Sequence, residues 1–398
     1  MNVLMLSLMY PEDQMDEVTK NARDKLQNQI NSYQRAFVQG VEANLFPGEK
    51  LDIFNSLPVG IFPLQYKKLF LRNGWHDQKR IRQFGCINLP WFKQKGRFFA
   101  FRKALEQWVN ASPDNRSVLV YTQYLPYMQA ICSVKKHYPD LKATVIVTDL
   151  PNEMGLASGR KGIMKQLEKR MGDRSLQALR QMDGFVLLTE PMAEALQVRS
   201  KPYIVLEGLI LKAAVQPESS DEKPAVLYTG TLEPDLGIGE LLSAFEQMPE
   251  YELWLCGQGS MQGQIKEFEK RCSNIHYFGF VPQKEALAMQ ARAAALINPR
   301  SPNGLFTRYS FPSKTLEYMR SGKPVLCYQL EGIPADYDSY LSYIRRPGAD
   351  GIAEAVRSLM ALPSPERRKM GQNAREYVLH NKNPEVQCRK LVELLRSL

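Results

Sequence analysis

The sequence predicts an α/β protein of two Rossmann-like domains, each built on a parallel sheet. Three observations carry this expectation. The chain has 398 residues, more than one typical domain, and 44% of them are hydrophobic, enough for two cores. In both halves short apolar runs alternate with helical patterns, the order that makes a parallel sheet covered by helices on both faces. Between the halves lies Gln216-Pro217-Glu218-Ser219-Ser220-Asp221-Glu222-Lys223-Pro224, a polar stretch with proline near each end, which reads as an interdomain linker.

The first half holds strand-like runs at 3–8, 118–122, 143–148, 185–189 and 203–206. Residues 1–9 are apolar but short and lack a basic leader, so they read as a first buried strand rather than a signal peptide. The second half alternates more cleanly, with runs at 225–228, 252–256, 275–278, 294–297 and 324–328, and helical patterns such as 240–247 and 284–292 between them. The expected divisions are a first domain over 1–208, a linker over 209–224, a second domain over 225–379 and a last helix over about 380–398. No run approaches the length of a membrane-spanning helix. The six cysteines are scattered with no Cys-x-x-Cys pair, which suits a reduced, cytoplasmic protein.

The net charge of +10 is concentrated. Between Ile61 and Trp108 eleven Lys and Arg residues face only Asp77 and Glu106, a local net charge of +9, and ten Phe, Tyr and Trp residues such as Trp75, Trp91, Phe92 and Phe99 are interleaved with them. This pattern suits an anionic membrane surface, where cations meet headgroups and rings sit at the interface. It equally suits solvated helix faces over an aromatic core. Nucleic acid is a third reading, and no nucleic-acid-binding motif supports it.

The chemistry-bearing motifs cluster at expected strand ends. Tyr228-Thr229-Gly230-Thr231 closes the first strand of the second domain, and Gly237-Ile238-Gly239 opens the helix after it. Glycines there let backbone N–H groups approach a diphosphate, and otherwise mark a plain strand–turn–helix joint. Cys256-Gly257-Gln258-Gly259 ends the next strand, but residue 262 is Gln, so no dinucleotide fingerprint is completed. Phe278-Gly279-Phe280-Val281-Pro282 follows the third, where Phe280 and Val281 suit the face of a base or merely a buried turn. The stretch from Asn298 to Val325 is the most informative. A strand ends in a loop carrying Arg300 and Arg308, and a helix starts near Pro312-Ser313 with Lys314 and, one turn in, Glu317. A cation-rich loop at a helix N-terminus, beyond a strand's carboxyl end, is where open α/β sheets hold anions. Glu317 suits the two hydroxyls of a ribose, or is simply a charge near the helix N-terminus. Ser313 suits a phosphate, or caps the helix. In the first domain Asp149 stands at the end of an apolar strand, where it orients an acceptor hydroxyl or caps a turn; Glu190 sits similarly.

The form Tyr309-Ser310-Phe311-Pro312-Ser313-Lys314-Thr315-Leu316-Glu317-Tyr318-Met319 resembles the nucleotide-sugar site of retaining glycosyltransferases of the GT-B fold, family 4. The resemblance implies two Rossmann-like domains facing across a cleft, with the last helix crossing back to the first. It implies an acceptor-binding first domain and a donor site mostly on the second. Carried over residue by residue, it gives Glu317, Lys314, Arg308 and Asp149 catalytic roles. It gives donor-binding roles to Gly230, Thr231, Gly257, Gly259, Phe280, Val281, Arg300, Tyr309, Ser310, Pro312, Ser313 and Thr315. Three departures stand out. Tyr309 replaces the first of two glutamates, and Thr231 and Leu236 replace an Arg and a Lys that usually serve the diphosphate. That leaves Arg300, Arg308 and Lys314 as the cations for it.

The implied activity is transfer of a sugar from a nucleotide sugar, expected to be a UDP-sugar, to a glycan or lipid-linked acceptor in bacterial polysaccharide synthesis. The nucleotide sugar is a substrate; no cofactor and no metal is expected. Asp336-Tyr337-Asp338 looks like a metal-binding Asp-x-Asp but lies outside the required strand context and reads as a loop, and the four histidines have no metal-ligand spacing. The expected place is the cytoplasm, peripheral on the inner face of the plasma membrane if the basic window meets lipid. The departures motivate an alternative: a degenerate GT-B protein that binds a nucleotide sugar or a partner without catalysing transfer.

Overall fold

The computed structural model describes residues 1–112, 115–150, 163–211, 223–302 and 305–398. They form two compact units, Met1–Leu209 with Pro384–Leu398, and Ile210–Asn383. Most of the expected linker, residues 212–222, lies outside the described residues.

The strands of the first unit are β1 (Asn2–Ser7), β2 (Lys50–Asn55), β3 (Phe70–Leu71), β4 (Gly74–His76), β5 (Ile81–Gln83), β6 (Cys86–Ile87), β7 (Arg116–Tyr121), β8 (Lys142–Val147), β9 (Gly184–Leu187) and β10 (Tyr203–Val205). Eight of them make one sheet in the order β10-β9-β8-β7-β1-β2-β5-β4, parallel except for β4 against β5. The pair β3 and β6 is separate and antiparallel. Its helices are α1 (Met15–Asn21), α2 (Asn28–Glu42), α3 (Pro90–Ala111), α4 (Leu125–Lys135), α5 (Ile163–Leu179) and α6 (Pro191–Ala195). Central strands are covered on both faces: Val3, Leu4, Met5 and Leu6 are all fully buried, which is why β1 reads as an unbroken apolar run.

Strand β2 was not expected, because its sequence Lys-Leu-Asp-Ile-Phe-Asn has only two adjacent buried apolar residues. A polar residue completes it. Buried Asn55 accepts from Ser7 Oγ (3.0 Å) and the Met9 amide (2.8 Å), and donates to the Met9 carbonyl (3.0 Å), tying the ends of β1 and β2 together. The basic aromatic window supplies β3 to β6 and α3, and its cations are not all on the surface. Lys93 Nζ donates to the Val59 carbonyl, and Arg97 donates to the Leu57 carbonyl (2.6 Å) and to Tyr124 Oη (3.0 Å). Burial pulls Lys93 down to about 8.

The second unit holds β11 (Lys223–Thr231), β12 (Glu252–Gln258), β13 (Ile275–Tyr277), β14 (Ala293–Asn298), β15 (Val325–Tyr328) and β16 (Ser342–Ile344). Their order is β13-β12-β11-β14-β15-β16, parallel throughout. Helices α7 (Ile238–Glu246), α8 (Gln262–Arg271), α9 (Gln283–Arg292), α10 (Leu305–Tyr309), α11 (Ser313–Arg320), α12 (Gly348–Met360) and α13 (Ser364–Asn381) connect and cover it. The chain runs outward from β11 through β12 to β13, then returns to β14 on the other side of β11. That reversal is a topological switch point, and open sheets bind ligands beyond the strand ends there. The short β16, Ser-Tyr-Ile, was not expected, because Arg345 and Arg346 follow it at once and leave no apolar run.

The last helix, α14 (Pro384–Ser397), packs in the first unit against α2. Gly40 of α2 makes the close approach: a Cβ there would lie 2.4 Å from the Pro384 carbonyl and 2.5 Å from Cys388 Sγ. Leu391, Val392 and Leu395 of α14 complete the core that Phe37 and Val41 of α2 share with β1. Replacing Gly40 by Val should therefore destabilise the protein by about 1–3 kcal/mol through overpacking. Urea unfolding followed by circular dichroism measures this, and an unchanged midpoint would contradict the packing.

Candidate functional site

The switch point lies between β11 and β14, and the motifs singled out in the sequence meet there from distant parts of the chain. Gly237, in a left-handed conformation (φ +77°) at the start of α7, lies against the loop after β14. A Cβ on it would stand 2.0 Å from the Pro299 carbonyl. Gly230, near the end of β11, lies under Lys314 of α11: a Cβ there would meet Lys314 Cε at 2.1 Å and Nζ at 2.4 Å. The long side chain of Lys314 thus occupies the space that glycine leaves open. Its Nζ also stands 5.9 Å from the centre of the Tyr228 ring.

Two tyrosines hold this strand end in place. The Tyr318 hydroxyl accepts from the Thr229 amide (2.8 Å) and lies 3.1 Å from the Thr229 carbonyl, to which it donates. The Tyr228 hydroxyl donates to the Thr231 carbonyl (2.7 Å). Both side chains are buried, and burial raises both phenols above their ordinary value, so they stay protonated. Sequence reasoning quoted Tyr318 as part of a motif and gave it no role. The signal was a hydroxyl-bearing residue on the apolar face of a helix, which must find a partner inside.

Helix α11 presents its charges on one side, three residues apart. Lys314 is half-buried and, among the described residues, makes no hydrogen bond or ion pair. Burial lowers its pKa, and the nearby Glu317 carboxylate partly offsets this. Glu317 is half-buried and likewise without a hydrogen bond or ion pair among the described residues. A desolvated cation that is in no ion pair is a place where a ligand anion is welcome. Arg300 is also drawn in: it donates to Ser310 Oγ at 2.6 Å, and burial lowers it to about 10. Both α7 and α11 start without a side-chain cap, so their first-turn N–H groups add positive potential at the switch point.

Several of the expected site residues have contacts within the protein. Arg308 points to Glu331, forming an ion pair at 2.8 Å, and lies 5.8 Å from the Tyr309 ring, so its charge is already answered by protein. Thr315 is fully buried, and its hydroxyl accepts from Asn298 Nδ2 at 3.4 Å; it joins the loop to the helix rather than facing a ligand. Ser313 is the first helical residue and does not cap: the cap position is Pro312, which is buried beside Phe311. The glycines after β12 serve the backbone. A Cβ on Gly257 would stand 1.7 Å from the Gly230 carbonyl, and one on Gly259 would stand 2.1 Å from the Leu232 carbonyl. The Gly257 amide donates to the Gly279 carbonyl (2.7 Å), so it is not offered to a phosphate. Thr231 is exposed at the strand end, and Leu236, where a cation was absent, packs on the core. Phe280 keeps 70% of its surface exposed beyond β13, while Val281 packs against the core.

In the first unit, Asp149 follows β8. Its carboxylate accepts from Thr148 Oγ1 (3.2 Å), its carbonyl accepts from Gln123 Nε2, and partial burial of the carboxyl raises its pKa although the residue as a whole is open. The rest of that motif, residues 151–154, lies outside the described residues. Glu190 accepts from Tyr203 Oη at 2.5 Å. Asp336 is held by Lys382 and Tyr377, and Asp338 accepts from Tyr343 Oη (2.7 Å); Ala335–Tyr337 is a short 3-10 turn.

Comparison with known proteins gives this arrangement a context. The family described as glycosyl transferases group 1 matches residues 212–377, the stretch that carries the switch-point site. The O-antigen chain mannosyltransferase B of Escherichia coli is 31% identical over 117 residues, which are 27% of this chain and 29% of that protein. Among solved structures, sucrose-phosphate synthase from Thermosynechococcus elongatus aligns over 100% of this chain and 98% of its own, with 15% identity and a TM-score of 0.63. Anabaena Alr3699/HepE, solved in complex with UDP, aligns over 100% of both chains, with 12% identity and a TM-score of 0.61. These likenesses show the fold, which is GT-B.

Removing the Tyr318 hydroxyl tests the clamp on β11. Tyr318→Phe leaves the Thr229 amide without its acceptor and should cost about 1–3 kcal/mol. Hydrogen exchange at Thr229, read by mass spectrometry, should accelerate in the variant. Unchanged exchange and an unchanged melting curve would contradict the clamp.

Proposed function

We propose that this protein is a retaining glycosyltransferase of family 4 type that takes a sugar from a nucleotide-sugar donor. The observation that carries the reading is Lys314: a half-buried ammonium lying on Gly230, near Glu317 but in no ion pair or hydrogen bond among the described residues, at the topological switch point. That position suits the diphosphate of a donor, and UDP is the nucleotide bound by the Anabaena protein of the same fold. In this reading Arg300 and the N-terminal N–H groups of α7 and α11 add to the positive field, and Phe280 offers a ring to the base. Glu317, one turn into α11, accepts from donor hydroxyls.

Transfer breaks the bond between the anomeric carbon and the diphosphate oxygen and forms one from that carbon to the acceptor oxygen. The acceptor proton passes to a donor phosphate oxygen on the same face, which retains configuration and needs no protein base. The protein's part is to hold the departing diphosphate in fixed positive charge. Lys314 then takes the place of the Arg and Lys that Thr231 and Leu236 displace. Asp149 is assigned to the acceptor or the transferring sugar. The reading includes a first unit that binds the acceptor, a lipid-linked glycan in polysaccharide synthesis, and work at the inner face of the plasma membrane.

The second reading, a nucleotide-sugar-binding protein without turnover, is favoured by Tyr309 at the place of the first glutamate. Transfer and donor hydrolysis across a panel of nucleotide sugars distinguish the two. The wild type should turn over at least one donor, and Glu317→Ala should lose about 100-fold or more of that rate, as expected for a lost transition-state contact. Wild-type rates in the variant would remove Glu317 from the site, and calorimetric binding with no turnover by the wild type would favour the second reading.

A further inference from the structure

Helix α3 is inverted relative to an ordinary surface helix. At about 100° per residue, Lys93, Arg97, Phe101, Leu105 and Trp108 fall on one side, and all are buried. On the opposite side Trp91, Lys95, Phe99, Phe92 and Lys103 fall within an arc of about 120°, and all are exposed. Trp91 keeps 73% of its surface in solvent, Phe92 60% and Phe99 60%. Two basic residues that a solvated face would display are spent on the carbonyls of Leu57 and Val59, while three large rings face outward.

The neighbouring elements continue this surface. Gly96 of α3 lies against Cys86 of β6, and the cross-strand partners Phe70 and Ile87 of the β3–β6 pair are both exposed. Further along the helix, Lys103 and the exposed Trp75 of β4 border one cavity of 550 Å³. The acidic residues of the window are answered: Asp77 pairs with Arg35 and Glu106 with Arg102. Lys95, Lys103 and Arg72 make no ion pair among the described residues. The uncompensated charge beside the rings is therefore positive.

We propose that this face docks on an anionic lipid surface, with Trp91, Phe92 and Phe99 entering the boundary between headgroups and acyl chains and Lys95, Lys103 and Arg72 meeting headgroup charge. Large rings flanked by cations are what such a boundary takes up. A second copy is the poorer occupant, because a two-fold contact would set this positive face against itself. No helix among the described residues is long and apolar enough to cross a membrane. Docking there deepens the proposed use of a lipid-linked acceptor and rests on it only for its purpose, since lipid binding needs no sugar donor.

The test is co-sedimentation of the full chain with vesicles of phosphatidylcholine alone or mixed equally with phosphatidylglycerol, at low and high salt. The wild type should bind the anionic vesicles, more weakly as salt rises, and its tryptophan fluorescence should be quenched by brominated acyl chains. The triple variant Trp91→Ala/Phe92→Ala/Phe99→Ala should partition about tenfold or more weakly with an unchanged melting curve. Lys95→Glu/Lys103→Glu should weaken binding to anionic vesicles only, whereas Lys93→Met, buried, should bind as the wild type does. No binding or no quenching with the wild type overturns the proposal, whatever the variants do. Wild-type binding by a folded triple variant also overturns it, and so does a wild-type dimer that the triple variant converts to monomer. Failure here with donor turnover intact removes the lipid surface and leaves the transferase reading standing.

Discussion

The second unit depends on one hydroxyl. Tyr318 Oη takes the Thr229 amide and returns a proton to the Thr229 carbonyl, so the end of β11 and the helix α11 are fixed to each other. These two segments are 89 residues apart in the chain. The consequence is positional. With α11 held there, Lys314 lies on Gly230 and Glu317 follows one turn later. A side chain on residue 230 would displace Lys314, which gives the glycine its reason. The cation and the strand end are a single arrangement, and the tyrosine sets it.

The departures from the family 4 pattern bear on the proposed reading. Two cations usual in that family are absent here, and the residues in their places have other surroundings. Leu236 has been absorbed into the core, and Thr231 stands exposed beyond the Tyr228 bond. On the proposed reading, the positive charge comes instead from α11 and the loop after β14. Burial makes Lys314 and Arg300 costly to charge, a cost that the diphosphate of the proposed donor would relieve.

The parts of the fold legible in the sequence are the ones that burial writes most simply. Central strands such as β1, β7, β8 and β14 are covered on both faces and appear as unbroken apolar runs. Strand β2 escaped because Asn55, a buried polar residue, ties down its end, and β16 because two arginines follow its two apolar residues. In the site, the cation-rich segment is legible in the sequence as charge gathered after a strand end, whereas the contacts that individual residues make are not. A glycine looks the same whether it admits a ligand or another backbone; Gly257 and Gly259 admit Gly230 and Leu232. A threonine looks polar until its hydroxyl is found facing Asn298. Charges mislead in the same way: Lys93 and Arg97 count toward the net +10, yet both are buried on carbonyls and offer nothing to a partner outside.

The central claim is that Lys314 is the chief protein charge for a nucleotide diphosphate at the switch point. Calorimetric titration of UDP into the wild type and Lys314→Met, which keeps the length and apolar packing of the side chain, tests it most directly. A lost charge-assisted contact in a half-buried site should weaken UDP by about tenfold or more while leaving uridine, which lacks the diphosphate, nearly unaffected. Equal UDP affinity in the two proteins would contradict the account.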